Sequence, residues 1–158
     1  MRHRISAGVL ALREDHILLV RHYREGLHDF WAGPGGGVEN GEELWQTAER
    51  EAFEETGLVV WAHTLAYIDE LIDTSGRIVK FWHLADYVSG EINVHANPAE
   101  GEGIVEAGWF SLDNLPKGHV FPEILRDRFL IDRAEGFSSI VKLPLRHSIF
   151  YCRSVCFT

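Results

Sequence analysis

Between Asp29 and Leu58 the chain passes from a segment that cannot be helical to one that can hardly be anything else. Gly33-Pro34-Gly35-Gly36-Gly37 sets four glycines and a proline in five positions. A helix interior rejects such a run, because glycine leaves the backbone unrestrained and proline removes an amide donor. Asp29 to Gly37 is therefore expected to be a shaped loop. From about Gly41 to Thr56 the composition switches to Glu, Ala, Leu, Gln and Arg, which favour helix, and Gly57 stands where a left-handed cap belongs. Asn40 is the expected N-cap, with Glu43 completing a capping-box-like pair.

The flanking sequence reads mostly as strands. Ile5 to Leu12 and Ile17 to Val20 are apolar runs around the polar turn Arg13-Glu14-Asp15-His16, the pattern of a hairpin. The first run follows the basic Met1-Arg2-His3-Arg4 but ends without a small-residue cleavage pattern, so a strand is expected and not a secretory signal. Leu58 to Trp61, Leu65 to Ile72 and Arg77 to Val88 read as strands, the last two joined by a turn at Asp73-Thr74-Ser75-Gly76. Ile92 to His95 and Ala107 to Ser111 are further strand candidates, separated by a flexible loop over Asn97 to Gly103. Pro122 opens a second amphipathic helix with Ile124, Leu125 and Phe129 inward. Ser138 to Thr158 fits neither pattern. With 158 residues, 46% of them apolar, the chain has material for one α/β domain spanning residues 1–158.

Charge is more informative than size. The net charge is −9, which speaks against a generic binder of polyphosphate backbones and makes nucleic acid an unexpected partner. The excess is local: Gly36 to Leu58 holds seven acids (Glu39, Glu42, Glu43, Glu49, Glu51, Glu54, Glu55) and one base, Arg50. On a helix, Glu51 and Glu55 fall at the edge of, or inside, the apolar stripe drawn by Leu44, Trp45, Ala48 and Ala52, with Glu54 beside them. Two like charges about 4 Å apart repel by roughly 4 kcal/mol at an effective dielectric of about 20. A divalent cation with oxygen preference, Mg²⁺ or Mn²⁺, relieves that strain and bridges to phosphate oxygens.

The same residues carry a resemblance. Gly36 to Leu58 matches the Nudix box, G-x(5)-E-x(7)-R-E-U-x-E-E-x-G-U, at Gly36, Glu42, Arg50, Glu51, Glu54, Glu55 and Gly57. Leu58 suits its bulky position, and Ala52 is smaller than the pattern asks. The run before the box and Trp109 to Pro116 after it are also similar to the family. The resemblance implies an α/β/α sandwich with a mixed sheet and a catalytic loop-helix-loop. It implies a pyrophosphohydrolase cleaving a nucleoside diphosphate linked to another moiety, such as a nucleoside triphosphate or nucleotide sugar, with Mg²⁺ or Mn²⁺. Glu51, Glu54, Glu55 and the Gly36 carbonyl are the implied metal ligands. Arg50 holds a box carboxylate, Glu42 is a structural or outer acid, and the general base is Glu54 or a loop acid, Glu100 or Glu102. A nucleotide-sensing domain that binds without cleaving is the competing reading; the intact acid set favours the enzyme.

Other candidates are weaker. No Gly-Lys-Ser/Thr follows the glycine run and no Asp-x-Asp-x-Asp-Gly loop is present, which excludes a Walker loop and a calcium hand. Thr74-Ser75-Gly76 occupies the positions where family subgroups for ADP-ribose or dinucleoside polyphosphates carry Pro or Tyr. Tyr23, Trp31, Trp82 and Phe110 are core or stacking residues, and Arg21, Arg24 and Lys80 are surface residues or phosphate contacts. His22, His28, His83, His95 and His119 show no ligand spacing. Cys152 and Cys156 lack partners at zinc spacing. A reduced, cytoplasmic protein is expected, with a nucleotide as small-molecule partner, no membrane partner, and a homodimer left open.

Overall fold

The computed structural model describes residues 1–95 and 103–149. Its strands are β1 (Arg2–Arg13), β2 (His16–Arg24), β3 (His28–Ala32), β4 (Gly35–Gly37), β5 (Val59–Asp73), β6 (Gly76–Ser89), β7 (Ile104–Ser111), β8 (Val120–Phe121), β9 (Val141–Lys142) and β10 (Arg146–His147). The helices are α1 (Leu44–Thr56), α2 (Ile124–Asp127) and α3 (Phe129–Ala134). All described strands share one mixed sheet, ordered β10-β5-β6-β1-β2-β3-β8, with β4 on β1, β7 on β2 and β9 on β5. Strand β1 organises it. It runs parallel to β6 over most of its length, meets β2 only at Leu12↔Ile17 and Arg13↔His16, and takes β4 at Ser6 to Gly8.

The period of two along β1 splits the core between the two faces of the sheet. Ala7, Val9 and Ala11 join Ala48 and Ala52 of α1, while Leu10 joins Ile17, Leu19, Tyr67 and Phe129 against the second helical layer. Small side chains on both sides of the first interface let α1 lie close to the sheet. On the other face, Leu10, Ile17 and Phe129 are fully buried, each contributing about 1.5–3 kcal/mol of burial free energy. The result is the expected α/β/α sandwich.

Several local expectations are corrected. The helix starts at Leu44, with Glu43 as N-cap in a capping box with Gln46; Gly41 takes φ 72°, which no helix accepts, so Asn40 cannot cap it. Trp45 does not belong to the buried stripe and is 45% exposed. The glycine run is a strand at Gly35–Gly37, because a Cβ at Gly35 would lie 2.7 Å from the Ala7 carbonyl oxygen and only glycine can approach β1 that closely. The expected strands Leu58 to Trp61 and Leu65 to Ile72 are one strand, Val59–Asp73, with register shifts between Val59 and Val60, Ala62 and Thr64, and Leu65 and Tyr67. Ile92 to His95 forms no strand; the Asn93 N–H donates instead to the Thr56 carbonyl at the end of α1 (2.8 Å). The helix after Pro122 is broken at Arg128, where φ is −121°. Part of the unplaced C-terminal stretch is edge strand, β9 and β10. No helix among the described residues is long and apolar enough to cross a membrane.

Candidate active site

Helix α1 is fixed at both ends. The Glu43 N–H donates to Gln46 Oε1 (2.8 Å), and Gly57, at φ 79°, returns its N–H to the Phe53 carbonyl (2.8 Å). Small-residue packing on β1 then sets the rotation of the helix, turning Glu51 and Glu55 inward: they are 6% and 0% exposed. Both face β4. The Gly35 N–H donates to Glu55 Oε2 (3.2 Å), and a Cβ on Gly36 would stand 2.5 Å from Glu51 Oε1. Gly36 is thus a cradle for the Glu51 carboxylate.

Arg50 lies between the acids. Its Nε and Nη2 donate to Glu42 Oε1 and Oε2 (2.6 and 3.1 Å), Nη2 also to the Gly37 carbonyl (3.1 Å), and Nη1 to Glu51 Oε1 and Glu54 Oε2 (3.0 and 3.1 Å). Thr47 Oγ1 and the Glu39 N–H complete the shell of Glu42. The Arg50 bonds, then that of Thr47, hold the Glu42 carboxyl down at about 2. Glu42 therefore anchors the arginine.

The predicted cluster Gly36, Arg50, Glu51, Glu54 and Glu55 is brought together. Its donors are carboxylates and a backbone carbonyl, the hard oxygen set that suits Mg²⁺ or Mn²⁺. Among the described residues, no three His, Cys, Asp or Glu side chains stand in an arrangement that encloses an ion. The reason is visible: Arg50 Nη1 draws Glu51 and Glu54 to itself, and Glu55 turns to Gly35. Glu100 and Glu102 lie outside the described residues.

Gly35 and Gly36 also line a cleft of about 490 Å³. One wall is aromatic: His22 stacks on Phe30 (4.7 Å, 14° between planes), and Phe30 meets Phe121 edge-on at 5.4 Å. Burial, with Lys80 and His28 adding, pushes His22 down to about 4, so its ring is neutral. The floor holds Lys80, Trp82 and Asp69, the last buried and paired with Arg146 (3.0 Å). Burial lowers the Lys80 pKa, opposed by the charges of Glu55, Asp69 and Glu51.

Sequence reasoning favoured a surface position for Lys80; the structure puts it in the cleft. It missed Phe30, Asp69, Phe121 and Arg146 altogether. Arg21 is spent on Asp29 (2.9 Å) and Glu106 (3.4 Å), and Trp31 packs edge-on against Phe110.

The NUDIX domain family model matches residues 2–129. The chain belongs to the NUDIX family. Its NUDIX domain is 36% identical over 129 residues to the NAD-capped RNA hydrolase NudC of Salmonella heidelberg, covering 78% of this chain and 46% of that protein. The chain spans about half the length of the curated relatives it matches. A MutT NUDIX hydrolase from Burkholderia pseudomallei superposes with a TM-score of 0.65 at 30% identity, over 77% of this chain and 92% of that one. A NUDIX hydrolase from Nitrosomonas europaea reaches 0.73 at 19% identity, over 92% and 79%, a likeness of fold alone. Arg146, which lines the cleft, lies beyond residues 2–129 that the NUDIX family matches.

Proposed function

We propose that this chain is a divalent-metal-dependent pyrophosphohydrolase that cleaves a nucleoside diphosphate linked to another moiety by attack of water on a pyrophosphate phosphorus. One observation carries the reading: Glu51 and Glu55 are buried against Gly35 and Gly36, and those glycines border the cleft. Burying two carboxylates side by side is costly unless a cation compensates them. Glu51, Glu54, Glu55 and the Gly36 carbonyl would hold Mg²⁺ or Mn²⁺. Such an ion, when bound, polarises a pyrophosphate oxygen and makes a coordinated water more acidic.

The chain's own residues supply the rest. Arg50 is a positioning residue that keeps Glu51 and Glu54 near each other and tied to Glu42. Glu54, with 30% of its side chain exposed, is more open than Glu51 and accepts the proton of the attacking water; Glu100 or Glu102 fills that role if the loop acids reach the site. The neutral His22, Phe30 and Phe121 suit a planar base. We place this activity in one domain over residues 1–158, in the cytoplasm.

The acidic balance supports a small nucleotide over RNA. The name of the Salmonella relative makes NAD-capped RNA the second substrate to test. The deciding experiment is a panel of nucleoside triphosphates, nucleotide sugars, ADP-ribose, NAD and NAD-capped RNA, incubated with Mg²⁺ or Mn²⁺ in ¹⁸O-labelled water. The expected result is cleavage at the pyrophosphate with label on one phosphorus. Binding without turnover across the panel would support a nucleotide-sensing domain instead. Glu100→Gln and Glu102→Gln assign the base: if both keep the wild-type turnover number, the loop acids are not it.

A further inference from the structure

Lys80 is a cationic residue of the cleft that takes no part in the proposed hydrolysis so far. It is the register partner of Ser6 on β1 and of Asp69 on β5, and all three side chains line the cleft. Glycines make room for it: a Cβ on Gly35 or Gly8 would come within 2.9 or 3.0 Å of Lys80 Cε. Its ammonium rests over the Trp82 ring, 4.2 Å from the centroid.

The charges of Glu55, Asp69 and Glu51 act on Lys80, yet each of these acids takes its hydrogen bond from another donor. Glu51 accepts from Arg50, Glu55 from the Gly35 N–H, and Asp69 from Arg146. Among the described residues the Lys80 ammonium makes no hydrogen bond and no ion pair within 4.0 Å. An ammonium carries three donors and no acceptor. Held on an aromatic face at the bottom of a cleft with those donors unspent, it is set to receive an anionic oxygen.

We propose that Lys80 is a phosphate-binding residue, donating to a non-bridging oxygen of the substrate phosphate that lies beside Gly35 and the box acids. The proposal rests on the nucleotide reading of the same cleft and gives it a contact outside the box.

The test is calorimetric titration of the whole chain at fixed Mg²⁺ with α,β-methylene-ADP, inorganic pyrophosphate and adenosine, comparing Lys80→Met and Lys80→Arg with wild type. Loss of one charge-assisted contact should weaken both phosphate probes by about tenfold or more in Lys80→Met. Adenosine and the thermal midpoint should not change, and Lys80→Arg should restore most of the affinity. Lys80→Gln serves the same comparison if Lys80→Met does not fold. The proposal is overturned if the phosphates bind equally well without the charge, if the arginine fails to rescue, or if adenosine affinity falls in parallel. Absence of phosphate binding by wild type also overturns it. Turnover is scored separately: phosphate binding through Lys80 with no hydrolysis removes the enzyme reading and keeps this site, whereas hydrolysis with binding indifferent to Lys80 does the reverse.

Discussion

Gly36→Ala is the smallest change that reaches the centre of the candidate site. The added methyl would sit 2.5 Å from Glu51 Oε1 and 2.6 Å from its Cδ, whereas ordinary contact begins at 3.4 Å. The carboxylate must retreat by about 1 Å, and its freedom to do so is small, since it is buried and Arg50 holds it at 3.0 Å. A displacement of about 1 Å at a reacting centre costs on the order of a hundredfold in rate, and overpacking of this kind costs about 1–3 kcal/mol in stability. Gly37→Ala is the control, because its methyl would meet only the mobile end of Arg4 at 3.0 Å. The assay pairs Mn²⁺ affinity by electron paramagnetic resonance with turnover on the best substrate of the panel. Gly36→Ala should lose both, and Gly37→Ala should keep turnover within a few fold. Wild-type Mn²⁺ affinity in Gly36→Ala would refute the placement of Glu51 in the ion site.

Three further outcomes are expected. Glu54→Gln and Glu55→Gln should each lose most turnover and weaken Mn²⁺ binding while keeping the wild-type circular dichroism spectrum; near-full turnover in either removes that residue from the ion site. Arg50→Ala leaves Glu42, Glu51 and Glu54 without their shared cation and should cost about 3 kcal/mol in urea unfolding, with Mg²⁺ restoring part of the loss. A pH titration of stability tests Glu42, whose carboxyl is held at about 2 in the fold against an ordinary 4.5. Between these values the unfolded chain binds more protons, so the contribution of Glu42 is present above about pH 4.5 and is lost as pH falls toward 2. Glu42→Gln should be less stable at neutral pH and show a flatter acid limb; an unchanged acid limb would refute the assignment.

Helix α1 was legible to within three residues because its signals act over one or two turns. Propensity, the Gly57 cap and the periodicity of Ala48, Glu51, Ala52 and Glu55 need no distant partner. The errors lay where a local signal met a tertiary competitor. Gly35 to Gly37 looks like a loop because glycine favours loops, yet the same absence of Cβ lets it pair with β1. Asn93 was read with a strand, and the unsatisfied carbonyl at the end of α1 claimed its N–H.

The acid cluster belongs to the first kind. Helical spacing brings Glu51, Glu54 and Glu55 together and supplies Arg50 to hold two of them, so the gathering of these acids was readable from spacing. The cleft belongs to the second. Asp69 meets Arg146, and Phe30 meets Phe121, because β10 joins β5 and β8 joins β3 across long stretches of chain. Lys80 shows the difference within one residue: on a strand read alone it is an exposed cation, and only the register of β1, β5 and β6 over Gly8 and Gly35 makes it the floor of the cleft. Helical periodicity is set by neighbours a turn away, whereas strand partners are chosen by the burial of the whole sheet, which no short window of sequence contains.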